Sequence, residues 1–272
     1  MKKAIAVLLL FVWAYVLFEK GYLLNQKNFT FPTLTLTPVS IPVPVPIPTF
    51  KIIEKPEEPI SPPEEQQPPF QAQETFNFFY SMGPIRAGSA KLTFVGKVDF
   101  EGKDSFLINF ESKVGVFYDF EKIYTDPETF YPLYVHRNIN NLGFSNIIEE
   151  RYDQVNYKVE IIKRGIFGKK SDVIKKHAPI QNAVLLIYSC RRLELAKLKP
   201  GYEFYVQLPV DEFKVIFRKI NKIKTPAGAF NAYLFETEPE KIRLWISTDA
   251  KHIPLKMENL TSLGPSSIVF ED

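Results

Sequence analysis

Cysteine and histidine are scarce in this sequence of 272 residues, which contains one cysteine and three histidines. A single cysteine excludes an internal disulfide. Cys190 lies in an apolar run, where we expect a buried, unreactive thiol rather than a nucleophile. His136, His177 and His252 are far apart, and none lies in a spacing typical of a metal site. The sequence therefore predicts no metal site and no other cofactor.

Motifs of catalysis and phosphate binding are missing as well. The sequence has no Gly-x-Ser-x-Gly nucleophile elbow, and Gly165 and Gly168 are too close together for a phosphate-binding loop. Glu236, Glu238 and Glu240 alternate along one expected strand, which fits a solvated outer face better than a weak Ca²⁺ site. Because no nucleophile, base or metal set can be assembled, we predict a protein that is not an enzyme.

A large excess of either charge is also missing. The sequence contains 34 Lys and Arg and 31 Asp and Glu, which give a formal net charge of +3. Residues 1–70 hold six Lys and six Glu, so the whole net charge belongs to residues 71–272. This bias is too small to indicate a nucleic-acid partner.

The N-terminus predicts export from a bacterial cytoplasm. Two lysines precede fifteen uncharged, mostly apolar residues, Ala4 to Phe18, and this order sends the following chain across the membrane. No small-x-small cleavage site and no lipobox cysteine follow. The run is short against the roughly 20 residues that a bilayer needs, but Lys20 can snorkel and residues 21–24 prolong the apolar face.

We therefore favour an uncleaved anchor, residues 1–24, over a cleaved signal peptide. The anchor would contact the inner membrane through residues 4–24 and hold a C-terminal domain in the periplasm. With cleavage, the protein would instead be released into the periplasm.

A proline-rich linker, residues 25–70, follows the anchor. Twelve of the 22 prolines lie between Pro32 and Pro69, and in Ile41–Pro48 every second residue is proline. This density favours polyproline II and predicts a spacer that reaches on the order of 100 Å when extended. Docking of a proline-recognising partner is the alternative interpretation.

Residues 71–272 carry apolar residues at every second position. Phe106, Ile108 and Phe110 show this pattern, and Leu92 and Phe94 show it in the preceding segment. Period two is typical of strands with one solvated face. We expect eleven or twelve short antiparallel strands.

One segment in this β-rich part predicts a helix. Residues 180–198 follow Pro179, end before Pro200-Gly201, and are apolar on nearly every face over residues 183–190. The predicted fold is therefore mainly β: an antiparallel curved sheet or partial barrel wrapped on one central α-helix.

Five short motifs occur in a distinctive order. They are Phe79-Tyr80-Ser81 with Ile85-Arg86-Ala87-Gly88, Asp126-x-x-Thr129-Phe130-x-Pro132, Leu198-Lys199-Pro200-Gly201, Thr225-Pro226-Ala227-Gly228 and Leu244-Trp245-Ile246-Ser247. In this order they resemble the bacterial envelope family called domain of unknown function 3108, over roughly residues 76–271. The resemblance implies an exported β-rich domain without assigned activity or catalytic residues. The implied architecture is similar to half-barrels that carry lipoproteins and lipids between bacterial membranes.

Two functional hypotheses follow. The first is a tethered envelope protein that holds a lipid or other apolar ligand between sheet and helix. Its candidate lining residues are Val184, Leu185, Ile187, Tyr188, Phe94, Phe110 and Trp245. The second is a structural or interaction module with a dry packed core, whose partner is another envelope protein. An enzyme of unrecognised type ranks third.

A basic hairpin is the last feature of note. Residues 163–176 carry six basic side chains against Asp172 alone. Such a hairpin with an apolar tip could contact an anionic membrane surface, or it could be an edge hairpin kept soluble by its lysines. The candidate membrane-surface residues are Lys163, Arg164, Ile166, Phe167, Lys169 and Lys170.

Overall fold

The computed structural model of the protein describes residues 70–166, 168–261 and 264–272. The expected anchor, residues 1–24, and the linker up to residue 69 lie outside these ranges. Within them, no helix combines the length and the apolar character that crossing a membrane requires.

Fourteen strands form one antiparallel sheet. The first eight are β1 Glu74–Met82, β2 Ile85–Phe100, β3 Lys103–Val114, β4 Phe117–Thr125, β5 Pro132–Asn141, β6 Phe144–Asp153, β7 Lys158–Gly165 and β8 Gly168–Lys175. The other six are β9 Glu203–Gln207, β10 Glu212–Thr225, β11 Gly228–Glu238, β12 Ile242–Ser247, β13 Pro254–Thr261 and β14 Gly264–Phe270. The count exceeds the eleven or twelve strands expected.

The strand order places the two ends of the domain side by side. Strands β1 to β8 form one meander and β9 to β14 form another, and β1 pairs with β14 to join them. Strands β8 and β9 are therefore the two edges, although they follow one another in sequence. Among the described strands, β8 and β9 do not pair with each other, so the sheet is open. The right-handed twist of its strands gives the sheet its curvature.

The helix is much shorter than predicted. Helix α1 spans Leu185–Arg191, and a 3-10 turn follows at Leu195–Lys197. The prediction of a helix over residues 180–198 was therefore wrong in its limits. Before α1, the Gln154 side chain binds both the N–H and the carbonyl of Ile180, and the Gln181 N–H donates to the Gln207 carbonyl at 2.6 Å. These contacts hold residues 180–181 in an extended conformation along β9.

Helix α1 packs into an aromatic core on one face of the sheet. The Tyr188 ring lies 5.0 Å from Phe70 and 5.9 Å from Phe130, and Phe94 contacts Phe106 at 5.3 Å between ring centroids. All five side chains are buried. The predicted class, a mainly β fold with one curved antiparallel sheet and one helix, is confirmed.

Candidate functional site

The ligand-lining candidates predicted from the sequence do not share one space. Leu185, Ile187, Tyr188 and Phe94 are at most 1% exposed and belong to the packed core. Trp245 is on the other face of the sheet. It pairs with Lys256, Lys256 pairs with Val269 and Val269 pairs with Phe79, so these four residues share one face. Phe94 lies on the opposite face, together with Phe78 and Phe76. The two remaining candidates, Val184 and Phe110, are half-buried.

The C-terminal end of α1 is fixed by one buried arginine. The Arg191 guanidinium binds both carboxylate oxygens of Glu74, at 2.8 and 2.9 Å, and donates to the carbonyls of Lys251 and His252. It also lies over the Phe70 ring at 4.6 Å. This arginine connects the helix to β1 and to the turn after β12, so its role is structural.

A second buried polar cluster lies on β4 and β5. Arg137 forms a two-pronged ion pair with Asp119, with Nε–Oδ1 at 2.8 Å and Nη2–Oδ2 at 2.5 Å. The neighbouring Glu121 is buried, and its Oε1 accepts a hydrogen bond from Asn182 Nδ2 at 2.7 Å. Burial raises the pKa of Glu121 to about 7, with Arg137 acting in the opposite direction. This carboxyl group therefore titrates near neutral pH.

Sequence reasoning missed Glu121, although a signal was present. Asp119, Glu121 and Ile123 share one face of β4, and all three are buried. Acidic residues in phase with a buried isoleucine indicate a polar patch inside the core rather than a solvated face. Across the described residues, no group of three His, Cys, Asp or Glu side chains is arranged to hold a metal ion.

The basic hairpin consists of the edge strand β8 and its neighbour β7. Ile166 at its tip and Val173 on β8 are each 59% exposed, and Lys169 and Lys170 are exposed beside them. Arg164 forms an ion pair with Glu149, in which Nη1 lies 2.5 Å from Oε2. The hairpin thus presents both lysines and apolar side chains to solvent. Among the six predicted membrane-surface residues, Lys163 is half-buried and Phe167 lies outside the described residues.

An aromatic groove of about 350 Å³ runs beside the other edge strand, β9. We call it the β9 groove. Its lining combines Tyr202, Phe204 and Tyr205 with residues from the end of α1 and from the turn before β5. Tyr205 is 76% exposed and Tyr202 is 41% exposed. Sequence reasoning did not find this groove, because its walls come from segments that are distant along the chain.

The Asp126 motif forms the turn that contributes Thr129 and Tyr131 to the lining of the β9 groove. Asp126 Oδ1 accepts hydrogen bonds from the N–H groups of Glu128 and Thr129 and from the Thr129 hydroxyl, at 2.8 to 3.1 Å. The turn then offers the carbonyls of Glu128 and Thr129 to Arg192 at 2.7 and 3.0 Å. Phe130 points into the core, while Thr129 and Arg192 line the groove.

A second groove, of about 450 Å³, lies on the Trp245 face of the sheet. Its lining mixes apolar and charged side chains, including Phe79, Arg86, Lys256 and Glu258. None of the seven predicted ligand-lining residues lines this groove or the β9 groove.

Comparison with known proteins identifies one matching family and three solved chains with similar structures, two of which are given below. A family model described as a protein of unknown function, DUF3108, matches residues 75–271. A β-barrel-like protein of domain of unknown function DUF1849 from Brucella abortus shares 10% identity, with 72% of this chain and 94% of that chain covered and a TM-score of 0.45. A Bacteroides fragilis protein with a YmcC-like fold shares 10% identity, with 74% and 95% covered and a TM-score of 0.28. The comparison with curated proteins gave no match.

Proposed function

The chain belongs to the DUF3108 family, and on that premise we propose that it is a membrane-tethered periplasmic protein whose β domain is a structural or interaction module with a packed core. The observation that carries this proposal is the packing of α1. Its inward side chains are at most 1% exposed and contact an aromatic cluster, so an acyl chain would have to displace them. This packing supports the interaction module over the lipid carrier.

The periplasmic location is a proposal that rests on the N-terminal sequence. Two lysines before an apolar run of fifteen residues keep that end in the cytoplasm. The anchor is tested by sequencing the N-terminus of the mature protein. We expect the sequence to begin at residue 1 or 2, and a start after Lys20 would refute the anchor.

Lipid analysis of the β domain tests the packed core. A protease site placed in the linker of the full chain would separate lipid held around the anchor from lipid held by the domain. After cleavage, native mass spectrometry should show the released domain without bound lipid. One lipid retained per domain, in preparations from separate membrane extractions, would overturn the proposal in favour of the carrier.

A second candidate function, contact with an anionic membrane surface, is favoured by the basic hairpin. The exposed Ile166 and Val173 provide apolar area, and each basic residue near an anionic surface contributes about 1 kcal/mol. Full-length protein in nanodiscs should show slower amide exchange in β7 and β8 when anionic lipids replace neutral ones. The control Lys169→Glu/Lys170→Glu should abolish this difference, and equal exchange in both lipids would contradict the function.

A further inference from the structure

The β9 groove carries a positive charge and no negative one. Among the described residues that line it, Arg192 is the one charged side chain, and neither Asp nor Glu is present. Arg192 forms no ion pair with an acidic side chain in the part of the chain that the structure describes. Its side chain is exposed, so the guanidinium is open to a ligand in the groove.

Three contacts hold the Arg192 guanidinium in place. Its Nη1 donates to the carbonyl of Thr129 at 3.0 Å, and its Nη2 donates to the carbonyl of Glu128 at 2.7 Å. Its Cζ also lies 5.0 Å from the centre of the Phe130 ring. These contacts use part of the fork of donors and leave further N–H groups for a ligand. Because the side chain is already ordered, binding a ligand costs less conformational entropy.

Acidic side chains close to Arg192 in the chain or in space make other contacts. Asp126 acts on Arg192 electrostatically, but its Oδ1 accepts hydrogen bonds from the backbone and the hydroxyl of its own turn. Glu194, two residues beyond Arg192, forms an ion pair with Lys197 at 2.9 Å. The Arg192 guanidinium is therefore available to a carboxylate that a ligand brings.

Aromatic side chains line the same groove. The ring centroids of Tyr202 and Phe204 are 6.4 Å apart, and Tyr131 also belongs to the lining. Such rings offer a rigid apolar surface to the body of a ligand. The groove volume of about 350 Å³ is at the lower end of the range for ligand pockets. The groove therefore suits a small molecule with an apolar body and one anionic group.

The single cation favours a carboxylate over a phosphate. A guanidinium can donate to both oxygens of a carboxylate at once. A phosphate monoester carries nearly two negative charges at neutral pH, which one arginine does not balance. The second groove differs, because its Arg86 pairs with Glu271 at 2.5 Å and its Lys256 pairs with Glu258 at 2.5 Å.

From these observations we propose that the β9 groove binds a small monocarboxylate with an aromatic or aliphatic body. Arg192 donates to the carboxylate oxygens, and Tyr202 and Phe204 contact the body of the ligand. The site leaves the packing around α1 unchanged and does not depend on the interaction-module function. Failure of the ligand test would therefore leave that function standing.

Photolabelling of the full chain in nanodiscs of neutral lipid tests the site. The probe is a benzoate with a trifluoromethyldiazirine group in the para position, and its primary amide is the uncharged control. Because hydrogen bonds between charged groups are the stronger ones, the acid should label residues 189–206 half-maximally at a concentration at least about tenfold below that of the amide. Equal concentrations, or labelling confined to other segments, would overturn the proposal.

Two arginine variants connect the preference for the acid with Arg192. Arg192→Gln should raise the half-maximal concentration of the acid about tenfold and leave that of the amide unchanged. Arg86→Gln makes the same change in the second groove and should alter neither. Unchanged labelling by the acid in Arg192→Gln would contradict the site. If this variant loses the amide label as well, the groove is no longer folded, and the comparison of acid and amide on the unaltered chain decides.

Competition tests the choice of a monocarboxylate. Excess benzoate should displace the acid probe at a concentration at least about tenfold below that of phenyl phosphate. Equal displacement by the two competitors would show that the groove accepts anions in general, and would refute this choice.

Discussion

Replacing Glu121 with glutamine should stabilise the protein at alkaline pH and leave its stability nearly unchanged at acidic pH. Glu121 is 6% exposed, and its one hydrogen bond in the described structure comes from Asn182 Nδ2. A glutamine has the same shape, and its carbonyl oxygen can accept the same bond. The substitution therefore removes the ionisation of residue 121 and little else.

The size of the effect follows from the pKa of Glu121. Burial raises this pKa from 4.5 to about 7, a difference of 7 − 4.5 = 2.5. Between these values the folded state binds more protons than the unfolded state, so the free energy of unfolding falls as the pH rises. At 1.36 kcal/mol per pKa unit, Glu121 contributes about 3 kcal/mol to the free energy of unfolding at pH 4, and this contribution is lost by pH 8. Glu121→Gln should recover up to about this amount at pH 8.

Urea unfolding of the full chain, followed by circular dichroism at pH 4 and pH 8, measures this difference. The control Glu194→Gln makes the same chemical change at a side chain that is 73% exposed, where an ion pair contributes little, and we expect the free energy of unfolding to change by less than about 1 kcal/mol. The reasoning is refuted if Glu121→Gln lowers the free energy of unfolding at pH 8. A shift of equal size at both pH values would refute it as well.

Three further substitutions probe the packing around α1. Arg191→Met leaves Glu74 without its buried partner and should lower the free energy of unfolding by about 3–5 kcal/mol. The double variant with Glu74→Gln should recover part of that loss in urea titrations, and no recovery would contradict the ion-pair explanation. Tyr188→Phe removes a buried hydroxyl that has no hydrogen-bond partner in the described structure, so unfolding free energy should stay within about 1 kcal/mol; a larger loss would reveal a partner. Phe130→Ala empties the centre of the aromatic core and should cost about 3–5 kcal/mol by the same assay. A cost below 1 kcal/mol would mean that the core collapses around the gap.

The strands could be predicted from the sequence because their signal is local. Phe106, Ile108 and Phe110 alternate along β3, and the structure places all three on one face. The limits of α1 could not be predicted in this way. Residues 180–184 lie inside the predicted helix, but the Gln181 N–H pairs with the Gln207 carbonyl. A long-range hydrogen bond of this kind is not visible in any local window.

The candidate sites were less predictable than the fold, and the reason is geometric. Trp245 and Phe94 both look like core aromatics in sequence, yet strand register assigns them to opposite faces of the sheet. The β9 groove joins Tyr131, Ser189 and Tyr205, which only the tertiary fold brings together. By contrast, the family could be recognised from the sequence, because the order of the short motifs can be read along the chain without knowing any contacts.

The pairing of β1 with β14 also has a consequence for how the domain is completed during synthesis. The hydroxyls of Ser81 and Ser267, 186 positions apart, meet at 2.8 Å across this seam. Each meander can form from neighbouring hairpins, but the seam must wait for the last strand to be made. Until then β1 has an exposed side, and truncation before Gly264 would leave that side open permanently. The final strand is thus the closing step of assembly, because it joins the two meanders.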